Sequence, residues 1–177
     1  MCIQLLNGAD IQFKRANRLD VALVKNLPIA LVFLPAADIP RFVAHGNVDL
    51  GITGQDMVAE ANPTVSSAIT EELPLGFGRC QLQVQVPENG DIESVEQLCG
   101  KKVATSFDHL AGKYFEDLDA KTGQKTTIET LNGSVETACA LGLAAGIGAW
   151  LLTSRSSRIW RDHACMWPQA DRNAAHL

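Results

Sequence analysis

Apolar and polar positions along this chain follow two kinds of pattern. From Cys80 to Val86 they alternate strictly, with Cys80, Leu82, Val84 and Val86 on one side and Gln81, Gln83 and Gln85 on the other. A period of two is that of a strand with one covered face and one wetter face, and Pro87 closes it because proline cannot donate to a ladder. Ile29 to Leu34 is instead a continuous apolar run, the pattern of a strand covered on both faces. Asp38 can cap a helix and Pro40 suits its first turn, which predicts a helix from Ile39 to His45 with Gly46 just beyond its end. Val48 to Ile52 reads as the next strand, and Gln55 to Ala61 as a helix stopped before Pro63. Strand, helix, strand, helix is the order of a parallel α/β sheet.

Glu88-Asn-Gly-Asp91 is polar and turn-rich, so a crossing between two lobes fits there. A second unit follows. Ser94 to Cys99 reads as a short helix ended by Gly100, and Lys101 to Thr105 as a strand. Ser106 or Asp108 can cap the next helix, whose Leu110, Tyr114, Phe115 and Leu118 line one face. Thr126 to Leu131 is rich in β-formers, Asn132-Gly-Ser134 is a turn, and Val135 to Leu143 reads as a helix. The longest uncharged stretch, Thr137 to Ser154, is Gly- and Ala-rich and marginal for a membrane span; it reads as buried helix.

Composition narrows the class. The chain has 177 residues, enough for one ordinary domain or two small lobes, and its 46% hydrophobic and 20% charged content is that of a globular protein. A net charge of −5 with no long run of Lys or Arg argues against a nucleic-acid surface, while leaving room for a local basic pocket. The five cysteines are odd in number, widely spread and without a C-x-x-C pair, which reads as isolated thiols in a reducing compartment, the cytoplasm, rather than as a disulfide frame or zinc site. The N-terminus lacks the basic and apolar segments of a signal peptide.

Three strand-to-helix turns carry small, polar or glycine residues: Gly51-Ile-Thr-Gly-Gln-Asp56, Ala104-Thr-Ser-Phe-Asp-His109 and Asn132-Gly-Ser-Val-Glu136. In open parallel sheets ligands bind outside the C-terminal strand ends, where helix N-termini offer free N–H groups to an anion. Thr and Ser hydroxyls add donors, and glycines allow close approach, which suits a ligand bearing phosphate or carboxylate. Each turn also has a plain reading. Gly51 and Gly54 can serve only a positive φ, Ser106 and Ser134 can be N-caps, Asp56 a dipole partner, His109 a surface histidine and Glu136 part of a cap. No P-loop element appears, and no nucleophile with a paired base stands out. Chemistry alone gives a small-anion binder with two α/β lobes.

Taken together, the segments Arg18-Leu-Asp20, Asp38-Ile-Pro40, Val48 to Asp56, Phe77-Gly-Arg-Cys80, Ala104-Thr-Ser106 with Tyr114, and Leu131 to Glu136 resemble, in this order, the ATP phosphoribosyltransferase family of histidine biosynthesis. Leu31-Val-Phe-Leu-Pro-Ala-Ala-Asp-Ile-Pro40 is similar to its fungal members, and the likeness covers roughly residues 5 to 144. The resemblance implies an α/β fold of two lobes like the type II periplasmic-binding-protein fold, with the active site in the cleft. It implies ATP and phosphoribosyl pyrophosphate as substrates, joined by attack of adenine N1 on ribose C1′ as Mg²⁺-bound pyrophosphate leaves. Such chemistry needs two polyanions held in line more than covalent help. It also implies a homo-oligomer, and no nucleic acid or membrane as partner. Matched residue by residue, Arg18, Gly51, Thr53, Gly54, Asp56 and Arg79 fall on the nucleotide side; Thr105, Ser106, His109, Gly133, Ser134 and Glu136 fall on the phosphoribosyl pyrophosphate side; no protein metal ligand is implied.

Two departures from the family stand out. Members begin with a strand and a Lys-Gly-Arg-Leu segment, and this chain begins after that point. After Gly142-Leu-Ala144 the family continues with Asp-Ala-Ile-x-Asp, and here Ala145 and Ala149 stand where the two acids belong. All three Trp and Arg155, Arg158, Arg161 and Arg172 lie beyond residue 144, where no Lys, Glu, Phe or Tyr occurs. The expected organisation is therefore a first catalytic lobe over residues 1–87, a partial second lobe over 88–144, and a tail over 145–177 that is not family sequence, frameshifted or intron-derived, in a copy of impaired activity. The rival reading is a non-catalytic periplasmic-binding-like lobe that holds a nucleotide or small anion.

Overall fold

The computed structural model describes residues 1–78, 80–131, 133, 135–152 and 160–165. The chain forms two compact units, Met1–Ile69 and Thr70–Leu177. The polar turn after Pro87, read from sequence as a crossing between lobes, lies inside the second unit.

In the first unit, α1 (Cys2–Gly8) buries no residue. β1 (Val21–Leu23) and β2 (Ala30–Val32) pair antiparallel, with Val21 opposite Val32 and Leu23 opposite Ala30. These four positions share one exposed face, while Ala22 on the other is buried. The expected strand over Ile29 to Leu34 is thus shorter, pairs antiparallel, and is not covered on both faces. α2 (Ile39–Ala44) begins as predicted, with Pro40 buried in its first turn, and Gly46 follows at φ +69°, a conformation that an L side chain resists. Asp38 makes no capping bond; its carboxylate instead takes the Arg41 guanidinium at 2.9 Å. α3 (Gln55–Glu60) and α4 (Pro63–Ser66) complete the unit, and the Asn62 side chain accepts from the Thr64 amide to cap α4. Val48 to Ile52 forms no strand, and Leu50 is 71% exposed. An apolar run supplies a face but not a partner edge, and among the described residues of this unit the only paired strands are β1 and β2.

The second unit is built on β3 (Cys80–Pro87), β4 (Lys102–Thr105), β5 (Thr127–Thr130), β6 (Gly146–Leu152) and β7 (Trp160–Cys165), ordered β5-β4-β6-β3-β7. β4 runs parallel to β5 and β6, while β3 runs antiparallel to β6 and β7, so the sheet is mixed rather than parallel. The alternation in β3 holds for its apolar side, with Leu82, Val84 and Val86 fully buried. The glutamine face is drier than its pattern suggests, with Gln85 only 4% exposed.

Two helices, α5 (Asp108–Thr122) and α6 (Val135–Ala140), cover the sheet. Val103 joins a cluster with Leu82, Val84, Val86, Leu98, Ala111 and Phe115, to which Leu110, Tyr114 and Leu118 add the rest of the helical face read from sequence. Ala104, one position on, enters a second cluster with Val135, Ala138 and Ile147. That switch is the period of two at work. The far ends are tied by a relay. Gly100 N–H donates to Thr126 Oγ1 at 3.2 Å; the Thr126 hydroxyl and amide donate to the Asp119 carboxylate at 2.7 and 2.6 Å. The uncharged stretch from Thr137 is not one helix. α6 ends at Ala140, Gly142 turns the chain at φ +68°, and β6 then inserts between β4 and β3.

Candidate functional site

In the first unit the turn from Gly51 to Asp56 leads into α3, whose N-cap is Gly54 at φ −79°, ψ 146°. Neither Gly51 nor Gly54 has a positive φ, so the plain reading of these glycines does not hold. Close approach requires glycine at Gly51, whereas at Gly54 only a mobile carboxylate end stands in the way. A Cβ on Gly51 would lie 2.6 Å from Ile39 Cγ2 and 3.0 Å from Val43 Cγ2, so the turn lies directly on α2. A Cβ on Gly54 would run into the Asp56 carboxylate, which folds back over the start of its own helix. There the carboxylate meets the positive end of the helix.

Thr53 Oγ1 donates to the Ala36 carbonyl at 3.0 Å and pins the turn to the segment leading into α2. A hydroxyl has one donor and two acceptor sites. With its proton committed, Thr53 can only accept from a ligand. Nothing in the sequence signals Ala36, because it contributes through its backbone. Arg18 is exposed in a left-handed turn at φ +65°. Its motif partner Asp20 is paired with Arg15 at 3.0 Å, and the Arg15 guanidinium also stacks 4.2 Å above the Phe33 ring. Arg79 lies outside the described residues.

In the second unit, β4 and β5 end side by side. Thr105 pairs with Thr130 in register, and Leu131 N–H donates to the Thr105 carbonyl at 2.8 Å. The Ser106–His109 turn and the turn after Leu131 therefore leave the same end of the sheet from adjacent strands. Ser106 and His109 are exposed, His109 in the first turn of α5. Gly133 is exposed at φ +98°, and a Cβ there would meet nothing within 4 Å, so backbone conformation alone calls for glycine. Ser134 lies outside the described residues, as does the side chain of Glu136, whose backbone belongs to α6.

Thr105 differs from the others. It is fully buried, its hydroxyl donates to the Gly148 carbonyl at 3.0 Å, and it accepts from the Phe107 amide at 3.0 Å. The helix is thus entered without a side-chain cap from Ser106 or Asp108; its N-cap is Phe107. Sequence matching put Thr105 on the ligand side, but a buried threonine and an exposed one look alike in a motif. Ala145 and Ala149 each pack, partly buried, against one of the two apolar clusters. Among the described residues no three His, Cys, Asp or Glu side chains converge on a metal-sized site. Nor is any helix there long and apolar enough to cross a membrane.

A shallow depression of about 160 Å³ lies on the α6 side of the sheet, lined by Lys102, Ala104, Glu129, Leu131, Ala138, Leu143 and Ala144. Lys102 and Glu129 pair across it at 3.4 Å.

Comparison with known proteins gives a consistent answer. Residues 35–154 match the family model described as HisG, ATP phosphoribosyltransferase. The chain is 54% identical over 156 residues to the ATP phosphoribosyltransferase of Schizosaccharomyces pombe, covering 82% of this chain and 50% of that protein. It is 56% identical over 147 residues to the Saccharomyces cerevisiae enzyme of the same name, covering 82% of this chain and 48% of that one. The chain therefore spans about half the length of the curated relatives it matches. Among solved structures, the ATP phosphoribosyl transferase (HisG:HisZ) complex from Thermotoga maritima superposes with a TM-score of 0.70 at 21% identity, over 93% of this chain and 75% of that one, a likeness of fold. With a family match over most of its length and fungal relatives above half identity, the chain belongs to the ATP phosphoribosyltransferase (HisG) family.

Proposed function

We propose that this chain carries binding elements for both substrates of the transferase reaction that joins ATP to phosphoribosyl pyrophosphate in histidine biosynthesis, in the cytoplasm. The observation that carries the reading is the pinned turn of the first unit. Thr53 has given its proton to Ala36 and can only accept, which suits an amino or hydroxyl group of a nucleoside better than a phosphate oxygen. Gly51 lets that turn pack directly on α2, and Arg18 is one of the exposed cations of the same unit. Asp56 accepts ligand hydroxyl or amino protons from the same turn. Arg79 is assigned to the nucleotide on motif alone.

In the second unit Ser106, His109 and Gly133, with Ser134 and Glu136 by motif, serve phosphoribosyl pyrophosphate. Two exposed turns leaving adjacent parallel strands provide amide and hydroxyl donors for phosphate. Following the family resemblance, Mg²⁺ is assigned to the substrate's phosphates, where it would supply charge neutralisation for the leaving pyrophosphate. Homo-oligomer formation belongs to the same reading.

We also propose that turnover by these 177 residues alone is low. Ala145 and Ala149 occupy positions where the family resemblance places acids, and their methyl groups pack on apolar clusters and cannot accept from ribose hydroxyls. The family match runs to residue 154 and β6 (Gly146–Leu152) holds a central place in the sheet, which supports counting β6 with the family fold. Reading the transcript across the Ala144 codon tests the foreign-tail idea; an intact message encoding this tail refutes it. Pyrophosphate release from ATP, phosphoribosyl pyrophosphate and Mg²⁺ tests activity, and AMP titration calorimetry tests binding. AMP binding that weakens in Thr53→Val, with turnover far below the roughly 10 s⁻¹ of a median enzyme, is expected. Absence of AMP binding overturns the nucleotide assignment; ordinary turnover overturns the impairment.

A further inference from the structure

Thr105 is bonded to three chain segments at once. Its carbonyl accepts from Leu131 N–H at 2.8 Å, which holds the chain leaving β5. Its hydroxyl donates to the Gly148 carbonyl at 3.0 Å, which fixes it to β6, and accepts from the Phe107 amide at 3.0 Å, which fixes the start of α5. The side chain has no exposed surface. A hydroxyl whose proton is committed to a carbonyl cannot donate to a phosphate. By holding Phe107 N–H, it also determines which of the first amides of α5 stay free and where they point. Both partners of the hydroxyl are backbone groups, so the arrangement does not depend on the side chains at 107 or 148.

We propose that Thr105 is a positioning residue for the Ser106–His109 turn of the second unit, and not a contact to substrate. It sets that turn through its hydroxyl, while its carbonyl, which any residue at this position would offer, holds Leu131 at the end of β5. Valine would fill the same buried space, so packing alone does not ask for threonine; the two hydroxyl bonds do. The identity of the ligand rests on the proposed function, whereas the placement of the turn does not.

The test uses the full chain with Thr105→Val and Thr105→Ser. Two quantities are read: amide hydrogen exchange at Phe107, and the calorimetric Kd for phosphoribosyl pyrophosphate with Mg²⁺. Thr105→Val should speed exchange at Phe107 and weaken binding, each roughly tenfold. Thr105→Ser should stay within about threefold of wild type in both, since the hydroxyl survives. Asp119→Asn, at the other end of the sheet, controls for general destabilisation: it should lower the melting temperature while leaving both readouts unmoved. Unchanged Phe107 exchange in Thr105→Val overturns the proposal, and so does faster exchange with unchanged Kd. If Thr105→Val does not fold, Thr105→Ser decides, and a tenfold loss there overturns it. If wild type binds no phosphoribosyl pyrophosphate, the proposed function fails, and Phe107 exchange alone still decides whether Thr105 positions the turn.

Discussion

Gly51→Ala is a one-methyl change whose cost follows from the contacts of the turn. The new Cβ would stand 2.6 Å from Ile39 Cγ2 and 3.0 Å from Val43 Cγ2. Carbon atoms in good contact sit at about 3.5–4.0 Å, so the nearer pair is short by roughly 1 Å. Ile39 and Val43 are both β-branched and lie on α2, where such side chains keep one χ1 well and cannot swing aside. The backbone of the turn must move instead. Overpacking of this kind costs about 1–3 kcal/mol. For a chain of this size that is a fall of roughly 2–12 °C in Tm. Thermal scans followed by circular dichroism measure it. The double variant Gly51→Ala with Ile39→Ala removes the nearer methyl and should recover part of the loss, with a coupling of about 0.5–3 kcal/mol. A Gly51→Ala protein that melts with wild type refutes the close-approach account of this turn. So does a double variant in which the two losses simply add.

Three further outcomes follow from the second unit. Phe115→Ala, at a site 1% exposed, should cost about 3–5 kcal/mol in urea titration, because α5 would lose the largest fully buried side chain of its cluster. Asp119→Ala leaves the Thr126 amide and hydroxyl without their acceptor and should cost about 1–3 kcal/mol, with Asp119→Asn losing less because one acceptor oxygen remains. Burial pushes the Cys139 thiol above its ordinary pKa, so at pH 8 it should alkylate with iodoacetamide more slowly than exposed Cys2. The unfolded chain gives up that proton first, so the contribution is intact below the ordinary thiol pKa and is lost as pH rises above it; Cys139→Ala should flatten that alkaline decline.

What could be read from the sequence was local. The alternation of β3, the apolar face of α5 and the Pro40 and Gly46 boundaries of α2 each depend on side chains a few positions apart. What could not be read depends on partners distant in sequence. Ile29 to Leu34 carries the pattern of a doubly covered strand, yet β2 met β1 antiparallel and left Val32 exposed. Val48 to Ile52 has a strand's composition and no neighbour to make it one. Gln85 alternates as if solvent-facing, and is buried all the same in a strand paired on both edges. At the site, the motifs brought the two turns of the second unit to one end of the sheet, as the parallel β4–β5 pair shows. They could not tell the buried Thr105 from the exposed Ser106 beside it, because that difference is set by β6, whose Gly148 lies far along the chain.

The position of β6 has a consequence for synthesis. It lies between β4 and β3, yet among the strands of the described residues only β7 is made after it. As the chain leaves the ribosome, at roughly 5–20 residues per second, β3 and β4 emerge first and wait with the edges they will later offer to β6 unpaired. Their backbone donors and acceptors, and the apolar side chains of the cluster beneath them, stay open to other chains for several seconds. Non-local pairings of this kind also slow folding. Expression at low temperature, or with a chaperone that shields nascent strands, should therefore raise the soluble yield.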